Sequence, residues 1–146
     1  MASRGGKSAW RWIVPALVGA VVICGGALIY LRGAPGDRAA LQAFQRRVQA
    51  MPLTVRGEVV RVLPDDQLPP RHQRFLIKTS LGQTLLVLRN LEVSQRVPVN
   101  RGDRVEVCGE YRYNLAGGLV HEVHRDPSGR GPDGWIRLPR TRQTYR

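Results

Sequence analysis

The stretch Arg104-Val105-Glu106-Val107-Cys108-Gly109-Glu110-Tyr111-Arg112-Tyr113-Asn114 decides the fold. Val105, Val107, Gly109, Tyr111 and Tyr113 alternate with Arg104, Glu106, Cys108, Glu110 and Arg112. A period of two sends successive side chains to opposite faces of a strand, so the segment has one face for a core and one for water. Moving outward, similar short patterns run over Leu53–Leu63, His72–Thr79, Thr84–Leu91 and Leu119–Arg125. Turn signals separate them at Leu81-Gly82, Arg101-Gly102-Asp103 and Ala116-Gly117-Gly118. Five strands, a glycine in the first and a Gly-Asp turn launching the fourth predict an all-β domain over residues 53–126. Its expected form is a small five-stranded OB-like Greek-key barrel. A five-stranded roll with SH3-like connections is the alternative.

Upstream the chain changes character. Ile13 to Leu31 are 19 consecutive uncharged positions, flanked by Arg11 and Arg32 and by Trp10, Trp12 and Tyr30. Length and aromatic flanks predict a single transmembrane helix at 13–31. A cleaved signal peptide is the alternative, with Gly25 and Ala27 as a small-x-small site, but its apolar core is usually only about 7–15 residues. Basic residues are nearly balanced across the span. A short basic tail is retained while long domains translocate, so residues 1–12 are expected in the cytoplasm and the C-terminal domain in the periplasm of a bacterial inner-membrane protein. Residues 32–52 read as a linker and short amphipathic helix, with Asp37 as N-cap, Pro52 as stop, and Leu41, Phe44, Val48 and Met51 on one face. The Pro64–Pro70 loop and the Gly/Pro/Arg-rich tail 127–146 are expected to lack regular structure.

The formal net charge of +12 invites a nucleic-acid reading. Its distribution argues against one, because residues 52–126 carry 11 basic and 9 acidic side chains and the excess lies in the flanks. Such flanks suit anionic lipid. Arg outnumbers Lys 21 to 2, which suits planar recognition of phosphate or carboxylate but also follows from codon bias. Cys24 lies in the apolar run and Cys108 in a strand, so no disulfide framework is expected. The bulky Val21, Val22 and Ile23 disfavour Cys24 as a lipid acceptor.

Several pieces resemble a family of small, uncharacterised bacterial proteins, a domain of unknown function that follows an N-terminal membrane segment or signal. They are Leu63-Pro64-Asp65-Asp66, Arg71-His72-Gln73-Arg74-Phe75, Gly82-Gln83-Thr84-Leu85-Leu86, Gly102-Asp103-Arg104-Val105, Gly109-Glu110-Tyr111, Gly117-Gly118, His121 with His124-x-Asp126-Pro127, and Gly134-Trp135-Ile136. The resemblance covers residues 57–145 and implies an exported OB-like domain without bringing an activity. Members look richer in histidine. This chain has Arg89 before Asn90 where a His-Asn pair is typical, Glu122 where a Trp is typical, and Arg125 where another His is typical.

His72, His121 and His124 with Asp65, Asp66, Glu122 and Asp126 are the candidate metal or acid/base set. On a regular strand His121 and His124 point to opposite faces, and no HExxH or CxxC spacing occurs, so neither a metal nor another cofactor is expected. Trp135 is expected to close one barrel end. Arg71, His72, Arg74, His121, His124, Asp126 and Trp135 form the candidate binding surface, with Asp126 expected to join Arg74 and His72 in one cluster. The function expected is a membrane-anchored binding or interaction module without its own catalysis. Its partner would be an envelope protein, a peptide or a polymer, and a homo-oligomer is compatible with the sequence. The competing readings are a single-stranded nucleic-acid binder and a metal-assisted hydrolase with a partly lost His/Asp cluster.

Overall fold

A computed structural model of the protein describes residues 35–146. The expected span at 13–31 and its cytoplasmic tail lie outside the described residues, among which no helix is long and apolar enough to cross a membrane. One helix, α1 (Pro35–Gln45), precedes seven strands: β1 (Met51–Leu63), β2 (His72–Lys78), β3 (Thr84–Asn90), β4 (Arg104–Arg112), β5 (Leu119–His121), β6 (Trp135–Leu138) and β7 (Gln143–Tyr145). The sheet runs β1-β2-β3-β5-β4-β6-β7, and β1 also pairs with β4, so five strands close into a barrel. All pairings are antiparallel except β3 with β5.

Alternation builds the wall. Val105, Val107 and Tyr111 of β4 face inward with at most 1% exposure, and Phe75, Ile77, Leu85 and Val87 of the β2–β3 hairpin join them. The 13-residue β1 serves two neighbours: Met51 to Glu58 pair with β4, and Glu58 to Leu63 pair with β2. A register shift between Val59 and Arg61 bends it between them. Gly57 sits at that crossing, where a Cβ would lie 3.0 Å from the Lys78 carbonyl oxygen.

The helix is shorter than the sequence suggests and buries a different face. Its end is set before Pro52 by Arg47, which adopts φ 52° while Val48 N–H donates to the Ala43 carbonyl at 2.9 Å. Ala40 and Ala43 are its buried apolar residues, because small side chains let the helix approach the barrel closely. Val48 and Met51 pack partly against the core, and Phe44 stacks on Tyr113 at 5.5 Å. Asp37 is not a simple N-cap. Its Oδ2 accepts from Ser80 N–H at 2.9 Å and from the Ser80 hydroxyl, tying α1 to the β2–β3 turn.

The tail 127–146, expected to be irregular, contributes β6 and β7. Ile136 and Leu138 are buried in the core, and the alternation in Trp135-Ile136-Arg137-Leu138 is too brief to stand out among the surrounding Gly, Pro and Arg.

Candidate functional site

One edge of β4 is shared by two strands. Glu110 to Arg112 pair with β5, Glu106 to Cys108 pair with β6, and Gly109 lies at the joint. The chain between, from Glu122 to Gly134, therefore has to leave the sheet and return. Glu122 starts the exit with φ 52°, a costly conformation for a residue with a Cβ. Glycines make room: a Cβ on Gly109 would collide with the His121 carbonyl oxygen, and one on Gly134 with that of Glu122. Gly134 N–H donates to the His124 carbonyl at 2.9 Å and closes the excursion. Beneath it lies a cleft of about 280 Å³, lined by Pro52, Cys108, Gly109, Glu110, Glu122, His124, Asp126 and the Gly131–Gly134 turn.

Glu110, Glu122, His124, Asp126 and Asp133 line this cleft, and Arg112 and His121 reach it through contacts with the carboxylates of Glu110 and Glu122. Arg112 Nε donates to Glu110 Oε1 at 3.0 Å and holds that carboxyl below its ordinary range; His121 adds to the effect and burial opposes it. His121 stands between two carboxylates, with Nε2 3.0 Å from Glu110 Oε1 and Nδ1 3.3 Å from Glu122 Oε1. His124 is 4% exposed. Its Nδ1 lies 2.8 Å from the Arg125 carbonyl, which can only accept, so Nδ1 carries a proton. Nε2 then faces Glu122 Oε2 at 3.5 Å. The regular-strand expectation that the two histidines diverge fails here, because β5 stops at His121 and the left-handed Glu122 turns both rings toward its own carboxylate.

Asp126 organises the outer loop. It accepts from Gly131 N–H, from Ser128 N–H at 2.9 Å and the Ser128 hydroxyl, and from Arg130 N–H at 2.9 Å, and these donors, Gly131 foremost, depress its carboxyl to about 2. It does not join His72 and Arg74. Asp66 takes that place, with Oδ2 2.8 Å from His72 Nδ1 and Oδ1 3.0 Å from Arg74 Nη1. Arg71 pairs with Glu92 at 3.3 Å and Arg96 with Asp65, so this rim is largely charge-compensated. Six of the seven candidate residues thus fall into a group at the β1–β2 loop and the start of β2 (Arg71, His72, Arg74) and a group at the cleft, with His124 and Asp126 lining it and His121 beside it. Trp135 belongs to neither. It opens β6 opposite Cys108, half-buried on the sheet's outer row, rather than over a barrel end. Among the described residues no three His, Cys, Asp or Glu side chains are arranged to hold a metal ion.

Sequence reading missed the role of Arg89. It is fully buried, and burial lowers its pKa. Its Nε donates to the Gln95 carbonyl at 2.7 Å, Nη2 to the Arg146 carbonyl at 3.1 Å, and Nη1 to the Val123 carbonyl. β3 and β5 pair only through Leu86–Leu119 and Val87–Val120, so the wall lacks a strand partner where the excursion begins, and Arg89 supplies donors there. Its inward place in Thr84-Leu85-Leu86-Val87-Leu88-Arg89 was the available signal, since Leu85 and Val87 share that face. Comparisons with curated proteins and with solved structures returned no match. The family model described as "Protein of unknown function (DUF3465)" matches residues 25–146, and the chain belongs to that family.

Proposed function

We propose that this is a membrane-anchored, envelope-facing binding module with an OB-like Greek-key barrel and no catalysis of its own, whose ligand enters the cleft against β4. The strand order with a parallel β3–β5 contact supports the OB-like assignment. The apolar run at 13–31 supports the anchor. The observation that carries the binding reading is the split edge itself. Two strands share one side of β4, and the intervening excursion walls off a concave, largely apolar space on an otherwise closed barrel. Carboxylates of Glu110, Glu122, Asp126 and Asp133 line that space, which favours a ligand presenting a cationic or hydrogen-bond-donating group over a nucleic-acid phosphate.

The test places a photo-crosslinking amino acid at Arg130, on the excursion, or at Arg101, in the β3–β4 connection, of the full chain in native membranes. A discrete adduct from position 130 that is absent from 101 and is lost with Glu122→Lys is the expected result. Equal adduct patterns from both positions refute the cleft. A nuclease-sensitive adduct transfers the protein to the nucleic-acid-binding class.

A further inference from the structure

We propose that His121 is a proton-operated latch on the cleft: as an imidazolium it ties Glu122 to Glu110 of β4, and as a neutral ring it releases Glu122 and loosens the excursion that follows. Both ring nitrogens of His121 face carboxylate oxygens, at 3.0 Å and 3.3 Å. The Glu110 contact has hydrogen-bond geometry and the Glu122 contact is an ion pair without it; an ionised carboxylate offers no proton, so both contacts are favourable together only when both ring nitrogens carry one. A neutral imidazole has one N–H, and in either tautomer its lone pair then faces an anion.

The two carboxylates are not equally free to leave. Glu110 is fixed by Arg112 Nε at 3.0 Å, which also holds its carboxyl below the ordinary range. Glu122 is 59% exposed, and its ion-pair partners are His121 and His124. Loss of the His121 proton therefore weakens the hold on Glu122, which keeps only His124 beside it, and not on Glu110, which keeps Arg112. The release reaches the cleft because Glu122 begins the excursion in a left-handed conformation, which persists only while neighbouring contacts hold it. The charged groups around the latch are Glu110 and Arg112 from β4, Glu122 and His124 beside it, and Arg125, Asp126 and Asp133 from the excursion. Among the described residues, β1 and β3 supply no ion-pair partner to His121. An unperturbed imidazole changes charge between about pH 5 and 8, which sets the two conditions that a test of the latch has to compare.

The latch is independent of what the cleft binds, and its test contains no ligand. Hydrogen exchange of peptides spanning 122–134 is compared between the wild-type full chain in detergent micelles and His121→Gln or Glu122→Ala at the same pH, which cancels the chemical exchange rate. Both variants should exchange roughly threefold faster than wild type near pH 5.5, the size expected of partly exposed ion pairs, and at the wild-type rate near pH 8. The peptide His72–Lys78 should be unchanged throughout. A variant-to-wild-type ratio that is the same at both pH values overturns the latch. Should His121→Gln also accelerate His72–Lys78, the fold rather than the latch has been hit, and Glu122→Ala at its exposed site decides alone.

Discussion

The wall formed by β1, β2, β3 and β4 and the excursion from Glu122 to Gly134 are held by different means. In the wall, Met51 to Glu58 pair without interruption with Tyr111 to Arg104, and His72 to Lys78 with Asn90 to Thr84. Those ladders are backbone bonds that any alternating sequence can make, so apart from the buried Gln73 and Arg89, which bond to neighbouring backbone, the side chains need only be apolar inward and polar outward. In the excursion the backbone is held by particular side chains. Asp126 gathers three amides, Asp133 Oδ1 accepts from Asp126 N–H at 3.0 Å, and Arg89 holds the Val123 carbonyl from inside. The wall should therefore be sensitive to polarity and indifferent to identity, and the excursion the reverse.

The sharpest way to break this contrast is in the wall. Val107→Asp places an unpaired carboxylate at a fully buried position and should cost more than about 4 kcal/mol, unfolding the barrel in a urea melt. Glu106→Gln, one residue away on the outer face, loses an ion pair to a largely exposed Arg56 and should cost less than about 1 kcal/mol. If both were harmless, the facing of β4 would be wrong.

Arg89→Met tests the seam between the two regions. Removing a buried charge is itself favourable, but it leaves the Gln95, Val123 and Arg146 carbonyls without their donor, and each lost bond to a charged group is worth about 1.5–3 kcal/mol. The orphaned carbonyls win, and a net loss of about 3 kcal/mol is expected. Hydrogen exchange should locate the loss around Gln95 and beyond residue 121 while β2 and β3 keep their protection. Gly109→Ala comes next. Its Cβ meets the His121 carbonyl and lies 2.8 Å from Val123 Cγ1, so the strand ends must part, at about 2 kcal/mol in chemical denaturation.

How legible each region is in the sequence follows from the same difference. Alternation locates β1 to β4 to within about two residues because wall strands repeat one simple rule. It extends the fifth strand to Arg125, four residues too far, because nothing in Val120-His121-Glu122-Val123 announces a left-handed Glu122. β6 and β7 are short and sit in turn-rich sequence, where pattern cannot separate strand from loop. Composition alone picks out the site histidines, but which carboxylate each one meets depends on tertiary placement. His72 meets Asp66 across the β1–β2 loop, not Asp126, although both carboxylates lie in comparably polar stretches.

The smallest effect separates those two carboxylates. In a double-mutant cycle on thermal melts, Asp66→Asn and His72→Gln should couple by more than about 0.5 kcal/mol, because they share a 2.8 Å contact. Asp126→Asn and His72→Gln should be additive, because the partners of Asp126 are Ser128, Arg130 and Gly131. Asp126 itself should report through acid. Its carboxyl is depressed from 3.8 to about 2, so the native loop favours the ionised form. That preference is fully expressed above the ordinary aspartate range and is lost only as pH falls through about 2, the direction required of a carboxylate that binds its proton more weakly when folded. The group is exposed, so the consequence is local. The Gly131 amide resonance should hold its position down to about pH 3, move as the carboxyl protonates near 2, and show no such step in Asp126→Asn. A step near pH 4 would mean that the loop does not gather its amides on Asp126, and the excursion would then be held as loosely as an ordinary surface turn.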